Sequence, residues 1–407
     1  MIKRLSDRKA YATTLALLVS GLVLVRDSIR RPAAIVVASS KALRGVLRVG
    51  CVGAFFLPFA ASPLPATVPQ TPVSSTTVRA CASDDPENVR HLFTEARTAP
   101  LSHPAEWPIA ELTSIAVGPT GTIAVTDSKD YNVKLFDEHG RFIRVLGRRG
   151  DGPGEFRMPA AATFLNDTLI LVVDRYQRRL SAFSSGGAFV GSGLLRGIRA
   201  VGRVEGVRGD LFVGGLGPID RPGWRDSLWL VHRADTTGTV SQSFGRMPAS
   251  YSRYPALLSG PVYIATSGSQ DSTLFVTGRF LADIWKFDVG GKLVDSVAIP
   301  RTRGFVDPRE VVADLRGGAI SGFSSRVSPI IGLVASGNVV LVGYVSLATG
   351  DNTLRWDVFD RGLTPVGTGM PGPLFVAARG DTLIAVEGVA TEEELDVRYR
   401  LAWYIPC

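Results

Sequence analysis

The chain has 407 residues, with 45 Lys and Arg against 37 Asp and Glu and a formal charge of +8. Ten of those bases but only two of the acids lie in residues 1–66, so the rest of the chain holds 35 of each and is neutral. A neutral body of this length gives no support for nucleic-acid binding, and it is long enough to bury a sizeable core.

The first 66 residues form a leader with two apolar stretches. Residues 12–25 follow a basic start, and residues 49–61 follow Arg44 and Arg48 and lead into small residues and prolines. The second stretch has the charged, apolar and small-residue order of a secretory signal, and neither stretch reaches the roughly 20 apolar residues of a comfortable membrane span. Two interpretations stay open. Either translation starts further downstream and residues 44–66 are the signal, or the first stretch is an additional anchor.

Both interpretations predict an exported protein, whether periplasmic, secreted or anchored to the envelope. Six bases lie between the two apolar stretches. A basic loop stays in the cytoplasm, so the chain after residue 61 is the part that crosses. We expect any membrane contact to be made by the leader alone. Residues 67–87 are rich in Pro, Ser and Thr and predict a disordered linker, and residues 88–407 predict the folded domain.

The three cysteines fit export. Cys51 lies in the leader, whereas Cys81 and Cys407 lie at the two ends of the folded part. An oxidising compartment permits a disulfide between these two, and such a bond would close a very long loop. The alternative is a pair of free cysteines on the chain ends.

The segment Val125–Pro159 is the most informative part of the sequence, because degraded copies of it recur at intervals of about 45–70 residues up to the C-terminus. Within it, β-rich runs end at Asp127 and Phe136, a third run follows, and a Gly-rich segment closes the unit. One unit of this kind cannot bury its own apolar face, so the units must pack against one another. Four short strands repeated around an axis predict a β-propeller.

Later units are recognised by a turn pair followed by apolar β-formers, which marks the entry into a strand. These signals begin at Asn166, Gly209, Asp271, Gly337 and Gly380. They divide the chain into six units near residues 109–159, 160–203, 204–260, 261–325, 326–372 and 373–407. We therefore predict an all-β, six-bladed propeller of four-stranded blades, with inserted loops at residues 301–323 and 347–352.

The ring of blades must also close. The last unit contains three predicted strands: Leu383–Glu387, Leu395–Leu401 and Ala402–Ile405. We expect Val89–Phe93, from the N-terminal side, to complete their sheet, because pairing the two chain ends removes exposed sheet edges.

The repeat resembles the NHL family of six-bladed propellers. The Gly-rich linker matches the family pattern at Gly150, Gly152, Pro153, Gly154, Phe156 and Pro159. The second unit matches at Val172, Asp174, Arg179, Leu180, Phe183 and Gly187, and the first at Val125, Asp127, Val133 and Phe136. In the first unit Asp130 and Asn132 stand where the family has Asn and Arg. The other four units resemble the family only in the spacing of their strands and turns.

The sequence offers little catalytic chemistry. None of its four histidines stands at metal-ligand spacing, and it lacks a nucleophile elbow, a P-loop and a dinucleotide fingerprint. Asp127 and Asp174 end equivalent strands. They either form an acidic Ca²⁺ site, as in propeller lactonases, or cap their own turns. Repetition at equivalent positions favours capping. We predict no cofactor, metal site or catalytic residue.

The turns after these two acids are the predicted binding site. They carry Tyr131 and Asn132 in the first unit, and Arg175, Tyr176 and Arg178 in the second. In a propeller such turns gather on one face around the central channel, and Tyr and Arg are enriched at binding hot spots. The polar, Pro-rich loop Gly217–Trp224 could overhang the same channel.

We predict a monomeric, exported binding or scaffold protein whose channel-face loops hold a protein, peptide or glycan. Two alternatives stay open, because a fold does not fix a function. One is a metal-dependent propeller enzyme of the lactonase or lyase type that acts at the channel mouth. The other is a structural module of the envelope.

Overall fold

A computed structural model describes residue 81 and residues 87–219, 228–252, 255–258, 260–300, 305–314, 326–346, 353–390 and 397–407. The leader, and all of the predicted linker except residues 81 and 87, lie outside this part. The loop at 347–352 and most of Gly217–Trp224 also lie outside it. No helix among the described residues is long and apolar enough to cross a membrane.

The described residues form six antiparallel, four-stranded sheets, the blades. Strand β1 (Phe93–Pro100) comes first in the chain but belongs to the last blade. The first blade contains β2 (Leu112–Val117), β3 (Ile123–Asp127), β4 (Asn132–Phe136) and β5 (Phe142–Leu146). Two short strands, β6 (Arg148–Arg149) and β7 (Glu155–Phe156), pair in the linker that follows. The second blade contains β8 (Pro159–Phe164), β9 (Leu169–Asp174), β10 (Arg179–Ser184) and β11 (Phe189–Leu194).

The remaining blades repeat this order. The third contains β12 (Arg199–Val207), β13 (Asp210–Gly217), β14 (Trp229–Ala234) and β15 (Val240–Arg246). The fourth contains β16 (Val262–Ala265), β17 (Thr273–Gly278), β18 (Asp283–Asp288) and β19 (Leu293–Ala298). The fifth contains β20 (Ile330–Ala335), β21 (Val339–Val345), β22 (Leu354–Asp360) and β23 (Pro365–Pro371). The sixth contains β24 (Leu374–Arg379), β25 (Thr382–Ala390) and β26 (Val397–Pro406), with β1 as its fourth strand.

The first strands of the six blades form the inner ring. Strands β2, β8, β12, β16, β20 and β24 lie beside one another in this order, and β24 returns to β2. The predicted six-bladed propeller is therefore confirmed. The third and fourth blades also meet through a parallel pairing of Val201 with Val262, which joins their two sheets at the inner ring.

The hydrophobic pattern explains the position of each strand within a blade. All five residues of β3 and all five of β4 are buried, since these strands are covered on both faces. The outermost strands β11 and β19 are mostly exposed. The core consequently lies between neighbouring blades.

The closing strand of the ring differs from the prediction. Val89–His91 is a short 3-10 helix whose cap, Asn88, accepts a hydrogen bond from the backbone N–H of Arg90. The strand begins at Phe93 and pairs antiparallel with β26. Five consecutive residues of this eight-residue strand are exposed, and most of them are polar. β1 therefore lacks the apolar pattern by which a strand is recognised in a sequence.

The last blade also differs in its strand assignment. From residue 397 on, the two predicted strands Leu395–Leu401 and Ala402–Ile405 are one continuous strand, β26, and the inner strand β24 was missed. The number of strands supplied by the C-terminal end is nevertheless three, and the N-terminal side supplies the fourth. The predicted loop 301–323 contains a helix, Pro308–Asp314.

Chain direction gives the propeller two distinct faces. The turns between the second and third strands of each blade, and the linkers between blades, lie on one face, which we call the turn face. The turns between first and second strands lie on the opposite face. The chain ends are joined at the sixth blade by a disulfide between Cys81 and Cys407, whose Cα atoms are 5.3 Å apart.

Candidate binding site at the channel mouth

The two acidic residues that end equivalent strands hold the turn face together. The side chains of Asp127 and Asp174 are fully buried. Each carboxylate accepts three backbone N–H groups at 2.6–3.1 Å, two from the linker before its blade and one from its own turn. Such carboxylates have little capacity left for a metal ion. Among the described residues, no three His, Cys, Asp or Glu side chains gather in a way that could hold one.

Asn132 lies inside the first blade and not on the surface. Its side-chain oxygen accepts a hydrogen bond from Lys134 Nζ at 3.1 Å, and it is 3% exposed. Lys134 is fully buried and also bonds Asp127 at 2.8 Å and Asp130 at 2.9 Å. An ion network of this kind satisfies a buried charge, so Asn132 serves the fold and is removed from the surface open to a partner.

In the second blade an arginine supports the linker. Arg179 donates from Nη1 to the carbonyl oxygens of Asp151 and Gly152 at 3.0 and 2.9 Å. The residue before it, Arg178, has a φ of 51°. Tyr131 occupies the equivalent turn position with a φ of 58°. Both side chains are therefore oriented by a tight turn in the left-handed region, which non-glycine residues seldom adopt.

Two of the predicted tyrosines share a neighbourhood on the turn face. Both Tyr131 and Tyr176 act electrostatically on Arg157. Tyr131 is half-buried under the guanidinium of Arg149, 5.0 Å from its ring centre, whereas Tyr176 is 75% exposed. Arg157 binds Asp151, and this hydrogen bond lowers the pKa of that carboxyl to about 2. The turn face between the first two blades thus offers aromatic and charged groups to solvent.

Arg175 points the other way, into the ring. Its Nε donates to the carbonyl oxygen of Val201 at 3.1 Å, at the residue where β12 pairs with β16. It is the only one of the predicted site residues for which the structure shows a bond to an inner strand. It therefore marks the place where the turn face meets the channel.

Three further residues around Arg175 were missed in the sequence: Arg203 on β12, Tyr263 on β16 and Arg279 after β17. Arg279 holds in the fourth blade the position that Arg175 holds in the second. The backbone N–H of each donates at 2.9 Å to the residue just before its inner strand, Met158 or Pro261. An arginine directly after the second strand of two units was the signal that could have identified Arg279.

Arg203 lies deeper and crosses the channel. Its Nη2 donates to the carbonyl oxygen of Val376 at 2.8 Å, so the side chain connects the third blade with the sixth, on the opposite side of the ring. Its Nε also binds Glu205 at 3.2 Å. Both side chains keep contact with water, at 20% and 18% exposure. Val204 between them is buried, as strand alternation requires.

Close approach of the inner strands makes this arrangement possible. A Cβ atom on Gly202 would lie 2.3 Å from the carbonyl oxygen of Val262. Only glycine lets β12 and β16 meet here, and their contact brings Arg203 and Tyr263 to neighbouring walls of the channel.

Electrostatics shows that these groups form one cluster. Burial raises the pKa of Tyr263, and Arg279, Arg175 and Arg203 oppose that shift. Burial also lowers the pKa of Arg175, and repulsion from Arg279 adds to the effect. Burial raises the pKa of Glu205, and the positive charge of Arg203 opposes that shift. We call Arg175, Arg203, Tyr263 and Arg279 the channel-mouth cluster. It concentrates three positive charges in a partly desolvated cup.

Comparison with known proteins identifies the architecture. Residues 73–194 match the DUF5128 family, which is described as a 6-bladed beta-propeller. No curated protein matches the chain. The matched part is less than half of the chain and includes the first two blades.

Solved structures extend the likeness over the whole domain. A Bacteroides fragilis protein described as exported has 14% identity and a TM-score of 0.56, covering 80% of this chain and 98% of its own. A duf4221-family protein from Bacteroides vulgatus has 11% identity and a TM-score of 0.53, covering 77% and 97%. At such identities the likeness shows the fold alone. Regucalcin from Agrobacterium tumefaciens, a calcium-binding protein, is more distant, with 12% identity, a TM-score of 0.43, and coverage of 77% and 95%.

Proposed function

We propose that this chain is an exported β-propeller binding protein, of NHL-like type, that holds a partner on its turn face at the channel mouth. One observation carries the proposal: arginine and tyrosine side chains from three successive blades converge at one end of the channel. Arg175 comes from the second blade, Arg203 from the third, and Tyr263 and Arg279 from the fourth. Arg175 and Arg203 also join neighbouring or opposite blades, but a single backbone acceptor each does not need three guanidinium groups at one place.

The composition of the turn face supports a partner with polar groups. Arg and Tyr combine a large contact area with hydrogen-bond donors, and they dominate binding hot spots. Tyr176, at 75% exposure, covers no core of its own. It follows Arg175 in the sequence, so an exposed aromatic side chain and a member of the channel-mouth cluster belong to the same turn. A protein, peptide or glycan that lies across the turn face would meet both.

Export is the second part of the proposal. The leader has the order of a secretory signal, and the disulfide between Cys81 and Cys407 suits an oxidising compartment. The similar Bacteroides fragilis protein is described as exported as well. The predicted location is the periplasm, the medium or the outer side of an envelope membrane, with the partner in the same compartment.

Site-specific photo-crosslinking tests the binding role. A photoreactive residue is placed at Tyr176 on the turn face, and as the matched control at His139, which is exposed in a turn on the opposite face. Both proteins are exposed to the extracytoplasmic fraction of the cells that produce the chain. We expect a discrete adduct from position 176 that is absent from position 139 and is weakened by Arg175→Ala. Equal labelling at both positions, or none at 176, would refute the proposal.

A further inference from the structure

The channel-mouth cluster has hydrogen-bonding capacity that the protein itself does not use. Among the described residues, Arg279 Nε is buried without a hydrogen-bond partner. A guanidinium carries five N–H donors, and Arg175 directs one of them, Nε, to the carbonyl oxygen of Val201. A buried donor without a partner costs stability, so its persistence here points to an acceptor supplied from outside.

The charge balance of the cup favours an anion. Three guanidinium groups face one carboxylate, Glu205, and that carboxylate is already bound to Arg203. The charge of Arg279 repels that of Arg175. An anion placed between the two guanidinium groups would replace this repulsion by attraction to both. The hydroxyl of Tyr263 adds a further donor, and the charges of all three arginines oppose the rise of its pKa that burial causes.

The shape of the cup limits the size of that anion. Arg203 crosses the channel to Val376 and so forms a floor below the mouth. Glu205 lies two residues further along β12, on the far side of this floor. A group that enters from the turn face meets Arg175, Arg279 and Tyr263 before it meets the side chain of Arg203. The planar fork of a guanidinium matches the oxygens of a carboxylate or phosphate in a bidentate manner.

We propose that the channel-mouth cluster is a binding site for a small oxyanionic group, a carboxylate or a phosphate, held by Arg175, Arg279 and Tyr263 above the floor made by Arg203. This inference rests on the proposed binding function and names the chemistry of the group that is recognised. The group is either a free small anion or the anionic end of a larger partner that lies on the turn face.

Titration calorimetry on the full chain, with inorganic phosphate and with acetate as probes, tests the site. We expect one anion per chain, with weaker binding at high salt because the interaction is electrostatic. Arg279→Gln and Arg175→Gln should each weaken binding about tenfold or more, which is the worth of one charge-assisted hydrogen bond. Lys292→Gln is the matched control, because it removes the same charge from an exposed turn on the opposite face. It should leave the affinity unchanged.

Glu205→Gln supplies a test in the opposite direction. It removes the carboxylate that competes for Arg203, so the cup gains net positive charge and anion affinity should rise several-fold. Thermal unfolding of each variant verifies folding, and the added anion should raise the midpoint of the wild type more than that of Arg279→Gln. An anion affinity that stays the same in the Arg175, Arg279 and Glu205 variants would overturn the inference.

The two probes and the crosslinking experiment separate the possible sources of the anion. A free anion that binds and suppresses the adduct at Tyr176 shows that a partner presents its anionic group to the same cup. A free anion that binds without changing the adduct identifies a small-molecule site. If neither probe binds and the adduct at Tyr176 persists in Arg279→Gln, the oxyanion inference fails while the binding function stands.

Discussion

At the scale of single residues, the turn face shows how the same position is used in different ways. The residue that begins the third strand is Asn132 in the first blade and Arg179 in the second. Arg179 reaches out to the linker, whereas Asn132 remains buried beside Lys134. Asn132 and Arg179 hold equivalent positions in the repeat, but their contacts differ because the side chains around them differ. Asn132 accepts a hydrogen bond from Lys134, two residues further along the chain, and this contact lies inside the blade.

Asp357 illustrates the cost of a buried carboxyl. It is fully buried on β22 and accepts a hydrogen bond from the backbone N–H of Gly369 at 2.7 Å. Burial raises its pKa to about 7 from the usual 3.8. The unfolded chain releases this proton near pH 4 and the folded protein near pH 7. The free energy of unfolding therefore falls as the pH rises through this window, by up to about 4 kcal/mol.

We predict that Asp357→Asn unfolds at a higher temperature than the wild type at pH 8 and that this gain disappears at pH 4. Asparagine keeps an oxygen for Gly369 but never ionises. Thermal unfolding measured across the pH range checks the expectation.

Asp235→Asn is the contrasting variant for that experiment. The hydrogen bond from Thr237 lowers the pKa of Asp235 in an exposed turn. Its replacement should reduce stability above pH 4, the opposite sign. An Asp357→Asn protein with the wild-type pH profile would contradict the assignment.

At the scale of elements, the strand that completes the sixth blade departs most from the sequence prediction. Strand β1 is an outer edge, so only one side of it faces another strand. Only Phe93 and Ala99 of this strand are buried, and the five residues between them are exposed. Periodicity alone cannot distinguish such a strand from a loop, whereas β9 and β21 are recognised as strands by their continuous apolar runs.

A pair of proline substitutions tests the register of β1. The backbone N–H of Leu101 donates to Tyr399, so alternate residues such as Ala99 point their N–H toward β26, and Thr98 points away. Ala99→Pro should destabilise the protein by about 1–3 kcal/mol, because it removes a donor and leaves a carbonyl of β26 without a partner.

Thr98→Pro is the control, and its effect should be much smaller, since the lost N–H faces outward. Chemical denaturation provides the two free energies. A larger loss for Thr98→Pro than for Ala99→Pro would show that the register is displaced by one residue, and equal losses would contradict the assigned pairing.

At the scale of the whole molecule, closure of the ring depends on bringing together residues that are more than three hundred positions apart. The disulfide between Cys81 and Cys407 has a sequence separation of 326. It lies beside β1 and β26, whose pairing completes the sixth blade. A covalent link at this place restrains the unfolded chain and holds the closing strand against its partner.

We predict that reduction lowers the thermal midpoint of the wild type, with a loss of about 2–5 kcal/mol. The variant Cys81→Ser/Cys407→Ser should unfold at the same temperature as the reduced wild type and should not respond to reductant. Calorimetry with and without dithiothreitol measures both. A wild type that is insensitive to reductant would exclude a stabilising role for the bond.

The sequence by itself determined the fold and supplied candidates for the site. Its repeating turns and apolar runs fixed six four-stranded blades, because strand formation and blade packing are read from local pattern. It also predicted Arg175 as a site residue, since the turn that carries it belongs to that repeat. Only the tertiary structure decided that Asn132 is buried, that the closing strand from the N-terminal side begins at Phe93, and that Arg203, Tyr263 and Arg279 join Arg175. Those three stand on strands or turns of different blades, and their convergence is a property of the inner ring, which no local pattern records.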